Sequence, residues 1–361
     1  MKKERIVAIS PFAVKGSEFI DLQKESINKN GFEVVDGSFK NIFLHPLKAR
    51  KISVVVLNWF EEVNNKNSFT RVCSILKKKA ILAMLRIYKI KIISIIHNKK
   101  SHDFSESKKS NILKILLKRS SVVVGLCKET LPVLYDACGH ISNLEQKMVI
   151  VPHPNFIDSY SPSGINFRKQ LCIPENRMVV LFFGTIRKYK NIELIIEAAK
   201  KVRDIPVYFI IAGKGDDKYV DELIQRSEDN VMFMNRFIEN SEIADLYNCC
   251  DLCIAPLDYD SCLNSATCLA AFSFKKNIIC PKIGTIKDLE ADLTYSYSYQ
   301  DSEDHLQKVI EMIRVSYKDF KNNRFAFEEK GTKLFDMVKE DNSFDEVTKK
   351  WGIALEKAIN R

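Results

Sequence analysis

No stretch of this sequence is apolar for long enough to cross a membrane. Unbroken apolar runs such as Met178–Phe183 fall far short of the ~20 residues that a spanning helix needs. The start, MKKERIVAISPFAV, is basic, but Ser10 and Pro11 interrupt its apolar stretch. It is expected to form a first strand rather than a secretory signal, which points to the cytoplasm. Histidine is scarce, with six in the chain and none between 153 and 305. That absence argues against zinc at the cysteine cluster Cys249, Cys250, Cys253, Cys262 and Cys268, whose one CxxC has no second knuckle. Disulfides are not expected either, since a chain this long needs no staples. These cysteines are expected to be small buried apolar residues. With 361 residues, 46% of them hydrophobic and 28% charged, disorder is excluded and two domains are favoured.

Acidic residues are few in one half only. Residues 1–150 hold 27 Lys/Arg against 13 Asp/Glu, whereas the remainder holds 29 against 33. Such asymmetry suits a polyanionic partner for the first half, an anionic membrane surface or nucleic acid, or a general lysine bias. No nucleic-acid recognition motif accompanies the charge, so no nucleic-acid partner is expected. Phe69–Tyr88 carries Val72, Ile75, Leu76 and Leu82 beside Lys77, Lys78, Lys79 and Arg86. Lys108–Arg119 pairs Ile112, Leu113, Ile115, Leu116 and Leu117 with five basic residues. Both read as basic amphipathic helices, suited to an anionic leaflet or to a core-facing role.

Near-continuous apolar runs alternate with helix-period segments, the pattern of parallel strands buried on both faces. Strands are expected at Arg5–Ile9, Phe32–Val35, Ile52–Leu57, Lys91–Ile96, Val122–Leu126 and Met148–Val151. Helices Glu18–Asn30, Phe69–Tyr88, Lys108–Arg119 and Lys128–Ala137 lie between them. After the turn-rich HPNFIDSYSPSG (153–164) the alternation restarts, with strands at Met178–Phe183, Val207–Ala212, Val231–Met234, Leu252–Ala255 and Asn277–Cys280. The fold class expected is α/β, with two Rossmann-like doubly wound domains. Boundaries are placed at 1–160, 161–340 and 341–361, the last a helix (Phe344–Ile359) crossing back to the first domain.

The segment FFGTIRKYKNIELIIEAAKKV (182–202) runs from a buried strand through Gly184 into a loop with Arg187 and Lys190, then a helix. A guanidinium fork and an ammonium beside a glycine suit phosphate oxygens, although a solvated basic turn would look similar. This stretch resembles the donor loop of glycosyltransferase family 4 and its GT-B relatives. In that family the arginine and lysine hold the donor diphosphate, which implies that role for Arg187 and Lys190. Further blocks keep the family's order. IIAGKGDD (210–217) resembles its second strand with a Gly-x-Gly turn, here Gly213 and Gly215. FMNRFIENSEIADLYNCCDLCIAPL (233–257) resembles the segment whose backbone, here around Phe237 and Ile238, meets the nucleotide base. LNSATCLAAFSFKKNIICPKIGT (263–285) resembles the helix-then-strand block of polysaccharide transferases. Asn264, Ser265 and Thr267 would begin that helix, where free N–H groups suit a diphosphate and hydroxyls also serve as plain caps. Where many relatives carry a glycine, this chain has Ala266.

One departure concerns acids. Many members carry two glutamates eight positions apart here, and alignment on Asn277–Cys280 puts Cys262 and Ala270 at those places. Some polysaccharide-type relatives also lack both. In the first half, LNWFEE (57–62) and IIHNKKSHD (95–103) resemble the family's cleft loops. The resemblance implies that His97 touches the donor sugar, against the alternative of a core histidine, with His102 and Asp103 as weaker candidates. Gly16 would approach donor or acceptor.

The resemblance implies GT-B domains facing a central cleft, and a hexosyltransferase taking a sugar from a nucleotide-diphosphate donor to a lipid-linked or saccharide acceptor. It implies retention of configuration and supports surface-polysaccharide synthesis (capsule, O-antigen or exopolysaccharide), while peripheral placement on the inner membrane face is expected from the two basic helices. No cofactor and no metal are expected, because Arg187 and Lys190 would supply the positive charge; His97, Arg187 and Lys190 are the expected catalytic residues. Three rivals stay open. Asp258-Tyr259-Asp260 is a DxD match, as in a metal-dependent GT-A transferase. A GT-B nucleotide-sugar epimerase would need acid/base carboxylates. A non-catalytic GT-B partner subunit would explain the missing glutamates.

Overall fold

The computed structural model describes residues 4–14, 18–63, 67–99, 111–259, 262–289 and 293–361. The expected positions Gly16, His102, Asp103 and Asp260 lie outside the described residues. The chain divides into two compact units, Met1–Pro154 with Asp341–Arg361, and Asn155–Glu340. The boundary therefore falls at Pro154/Asn155 rather than at 160/161. The reason is local: Asn155 Nδ2 donates to the Val338 carbonyl at 2.7 Å, and the Phe156 N–H donates to Ser273 Oγ at 2.9 Å. Phe156, Ile157 and Tyr160 pack on the second unit's core.

The first unit holds β1 (Ile6–Ser10), β2 (Glu33–Asp36), β3 (Val54–Asn58), β4 (Lys91–Ile96), β5 (Val122–Gly125) and β6 (Met148–Ile150). All pairings are parallel, in the order β2-β1-β3-β4-β5-β6. Every residue of β3 is buried, and its alternation feeds two layers. Val54 and Val56 join Ile93, Ile95, Trp351 and Leu355. Val55 and Leu57 join Leu82, Leu85, Ile112 and Leu116 on the other side. Trp351 and Leu355 come from the helix Phe344–Ile359, so the last residues of the chain complete this unit's core. The packing there is close: a Cβ on Gly352 would lie 2.3 Å from Asn30 Oδ1, and Asn30 Nδ2 donates to the Thr348 carbonyl at 2.8 Å.

The second unit holds β7 (Met178–Phe183), β8 (Val207–Ala212), β9 (Val231–Met234), β10 (Leu252–Ile254), β11 (Asn277–Pro281) and β12 (Tyr295–Tyr297). Their order is β12-β11-β10-β7-β8-β9, again all parallel. β12 was not expected from the sequence; its three residues, Tyr-Ser-Tyr, form the outer edge of the sheet. Asp251 pins the unit together from a buried site. It accepts from Arg168 at 2.6 Å, the Val179 N–H at 2.8 Å and Arg324 at 2.8 Å. The clustered cysteines Cys249, Cys250, Cys253, Cys262 and Cys268 are buried and form no disulfide among the described residues.

The two basic helices of the first unit part company. For Asn111–Arg119, the described part of the expected Lys108–Arg119, Ile112, Leu116 and Leu117 are fully buried, so its apolar face is core. The helix Ser68–Ile87 buries Leu82, Met84 and Leu85 but leaves Val72 and Leu76 in solvent. Among the described residues, no helix is long and apolar enough to cross a membrane.

Candidate functional site

In an open parallel sheet, ligands collect beyond the carboxyl ends of the strands where the strand order reverses. The second sheet reverses between β7 and β10, and the first between β1 and β3. Gly184, Arg187, Lys190, Asn264, Ser265 and Thr267 follow β7 and β10, at the second of these points, whereas His97 follows β4, one strand beyond β3.

In the second unit the loop after β7 is built on two glycines. Gly184 has φ +142° and Gly213, after β8, has φ +144°, values that side-chain-bearing residues rarely adopt. A Cβ on Gly213 would lie 1.9 Å from the Gly184 carbonyl oxygen, so the two turns pack backbone to backbone. The Gly184 N–H donates to the Ala212 carbonyl at 3.0 Å, and the Ile186 N–H to that of Lys214 at 3.2 Å. This stitching holds Arg187 extended, followed by a single 3₁₀ turn, Lys188–Lys190. Asn191, left-handed at φ 54°, donates its Nδ2 to the Pro256 carbonyl at 2.9 Å and starts the helix Ile192–Lys201. Arg187 is exposed and Lys190 half-buried, with the Lys190 Nζ 5.3 Å from the Tyr189 ring centroid.

The loop after β10 approaches from the adjacent strand. Ser265 caps the helix Ala266–Ser273, its Oγ accepting from the Cys268 N–H at 3.4 Å. The capping role read from the sequence is thus met, while Thr267 sits half-buried in the first turn. Asn264 Oδ1 accepts from Thr285 Oγ1 at 3.1 Å, which ties this loop to the segment after β11. Cys268 and Cys280 form a buried thiol pair in which Cys280 keeps its proton. The Cys268 thiol is held below its usual range, first by the Cys280 hydrogen bond, against burial, with help from Ser265 and the nearby Lys190 charge. Gly184, Arg187, Lys190, Asn264, Ser265 and Thr267 therefore stand on two adjacent loops at one switch point. Phe237 and Ile238 lie apart from them, after the outer strand β9. Phe237 is exposed, and the Ile238 side chain belongs to the core. The Arg236 guanidinium beside them is held by Glu242 at 2.6 and 2.7 Å.

In the first unit, His97 directly follows β4 and is 8% exposed. Its Nε2 lies 3.0 Å from Asn58 Oδ1, and Asn58 Nδ2 donates to Gln23 Oε1 at 3.0 Å. Trp59, at φ 50°, stacks on the His97 ring with centroids 4.2 Å apart, and Phe19 meets it edge-on at 5.2 Å. Burial, with a smaller push from the neighbouring His153, depresses the His97 pKa to about 3. The ring is neutral at physiological pH and can exchange hydrogen bonds but not charge. Asn58, Gln23 and Trp59 were not singled out from the sequence. Asn58 had a signal, as the polar last residue of the otherwise apolar VVVLN; Gln23 stands on the buried Ile20–Gln23–Ile27 row of its helix.

The same loop carries an unusual acid. Glu61 is half-buried as a residue, yet its Oε2 is enclosed without a hydrogen-bond partner among the described residues. Burial raises its pKa to about 7. Lys78, which donates to the Phe60 carbonyl, is lowered by the same desolvation.

Residues 177–314, most of the second unit, match the family model "Glycosyl transferases group 1". The chain superposes on Anabaena Alr3699/HepE in complex with UDP and glucose with a TM-score of 0.69, at 14% identity, over 98% of this chain and 99% of that one. Sucrose-phosphate synthase from Thermosynechococcus elongatus gives a TM-score of 0.71 at 13% identity, over 96% and 97%. Over 51 residues the chain is 41% identical to WcaI of Escherichia coli (strain K12), whose name proposes a glycosyl transferase of colanic acid biosynthesis. That match spans 14% of this chain and 12% of that protein. The fold is GT-B, and residues 177–314 of the second unit are similar to the group 1 glycosyl transferases.

Proposed function

We propose that this chain is a nucleotide-sugar-dependent hexosyltransferase that builds a surface polysaccharide on a lipid-linked or saccharide acceptor. The observation that carries the reading is the loop after β7. It holds an exposed guanidinium and a half-buried ammonium at the switch point, beside the N-terminus of the helix Ala266–Ser273. Two flexible cations and a helix start form a site for a diphosphate. The group 1 domain and the UDP-bound structural neighbour support a nucleoside diphosphate as the occupant.

In this reading the bond between the sugar's anomeric carbon and the diphosphate breaks as the acceptor hydroxyl forms its new bond from the same face, retaining configuration. The acceptor proton passes to the departing diphosphate, so no protein base takes it up. Arg187 and Lys190 stabilise the negative charge that grows on the leaving group, an effect concentrated in the transition state. They supply that charge from the protein, without a metal ion. His97, neutral and fixed by Asn58, offers the donor sugar a hydrogen bond. The test is a panel of nucleotide sugars incubated with a membrane extract and with EDTA. Radiolabelled sugar should enter the lipid or polysaccharide fraction from one donor and be released as one anomer. Isomerisation of a donor without any acceptor would replace this reading with an epimerase.

A further inference from the structure

The helix Ser68–Ile87 has two apolar faces, and only one of them is used. Leu82 and Leu85 are buried against the first sheet's layer. On the opposite side Phe69, Val72, Cys73, Leu76, Ala80, Ala83 and Ile87 recur at helical spacing, and all seven are exposed. Phe69 is 77% exposed, Val72 55%, Leu76 59% and Ile87 76%. The row runs about 27 Å along the helix at 1.5 Å per residue. An exposed apolar strip of this continuity marks an interaction surface.

Charge identifies the occupant. The helix carries Arg71, Lys77, Lys78, Lys79 and Arg86 and no acidic residue. Lys78 turns inward to the Phe60 carbonyl. Lys77, Lys79 and Arg86 are exposed and border the apolar row, Lys77 on one side and Lys79 and Arg86 on the other. A second copy of this chain would bring identical cations face to face across a two-fold axis. Nucleic acid would match the cations but leave the apolar row wet. An anionic bilayer satisfies both, taking the apolar side chains into the headgroup boundary and the cations among lipid phosphates.

We propose that the solvent-facing row of the helix Ser68–Ile87 docks the first unit on an anionic lipid surface. Its purpose rests on the lipid-linked acceptor of the reading above; its physics rests on this helix alone. The second basic helix, Asn111–Arg119, takes no part, because its large apolar residues are spent in the core.

The experiment is co-flotation of the full chain with phosphatidylglycerol vesicles and with phosphatidylcholine vesicles, at low and high salt. Wild type should float with phosphatidylglycerol at low salt, float less at high salt, and ignore phosphatidylcholine. The pair Val72→Glu and Leu76→Glu, on exposed positions, should weaken binding by about tenfold or more. The pair Lys77→Glu and Lys79→Glu should weaken it and flatten its salt dependence. Phe325→Glu, a control at an exposed apolar site in the second unit, should bind as wild type. Failure of wild type to bind at low salt, or undiminished binding by Val72→Glu/Leu76→Glu, overturns the proposal. So does a wild-type dimer that this variant dissolves, since the row would then join two copies. Titration of a panel of nucleoside diphosphates into the same variants separates the two readings. Vesicle binding without affinity for any nucleoside diphosphate would sink the transferase reading and leave the docking surface standing.

Discussion

The two units present their candidate chemistry in opposite ways. In the first, the imidazole of His97 is buried, neutral and hydrogen-bonded into a Gln23–Asn58–His97 chain beneath a stacked Trp59. In the second, Arg187 is exposed and Lys190 half-buried, on a loop whose shape is fixed by glycine turns rather than by those side chains. Under the proposed roles, function and stability are fused in the first unit and separable in the second. Side chains on the rigid Gly184–Gly213 platform can be removed without disturbing the platform. Removing a member of the buried chain strands its partners.

The largest expected effect follows from that separation. The double variant Arg187→Ala, Lys190→Ala removes the two cations proposed to hold the diphosphate, and a hydrogen bond to a charged group is worth about 1.5–3 kcal/mol. Turnover should fall by at least roughly a hundredfold while the melting temperature stays at the wild-type value. A large loss of thermal stability would break the distinction between the units. Arg187→Lys should restore only part, because the fork geometry is lost.

Next comes a purely structural control in the second unit. Asp251→Ala deletes the acceptor of Arg168, Arg324 and the Val179 N–H, and should cost about 3 kcal/mol. Calorimetric melting should drop by roughly 6–12 °C, which sharpens the comparison by showing where this unit does store stability.

In the first unit, Asn58→Ala should lower both properties together. It leaves Gln23 and His97 short of a partner, at a cost of about 1–3 kcal/mol. Turnover should fall further than nucleoside-diphosphate affinity, because the proposed diphosphate contacts are Arg187 and Lys190. Acid sensitivity supplies a second readout. His97 has a folded-state pKa of about 3 against an ordinary 6.5. Above 6.5 it costs nothing, and as pH falls from 6.5 towards 3 only the unfolded chain takes up the proton, so stability is lost. His97→Gln should flatten that acid limb in a pH series of melts.

The smallest effect belongs to Glu61. Its pKa, raised to about 7 from 4.5, favours the folded state below 4.5 and withdraws that favour as pH rises through 7. Glu61→Gln should raise the melting temperature at pH 8 and leave it unchanged at pH 4.

Much of the architecture was legible in the chain because buried parallel strands read as continuous apolar runs. Lys91–Ile96, Met178–Phe183, Val207–Ala212 and Val231–Met234 coincide with strands residue for residue. The loop with Arg187 and Lys190 was legible because its parts are contiguous: strand, glycine, cations, helix. The hydrogen-bonded chain was not, since it joins Gln23 to Asn58 and Asn58 to His97 across 35 and 39 residues. The strand orders that define the switch points are likewise long-range facts. In the helix Ser68–Ile87 apolar residues encircle much of the surface, so the sequence alone does not separate Val72 and Leu76, which face solvent, from Ile75 and Leu82, which turn inward.

The most direct measurement is calorimetric titration of a panel of nucleoside diphosphates into wild type and into folded Arg187→Ala, Lys190→Ala. The wild type should bind one of them measurably and the variant at least about a hundredfold more weakly, with identical melting curves. Equal affinity in the two proteins would contradict this expectation, and would remove the loop after β7 from the donor site.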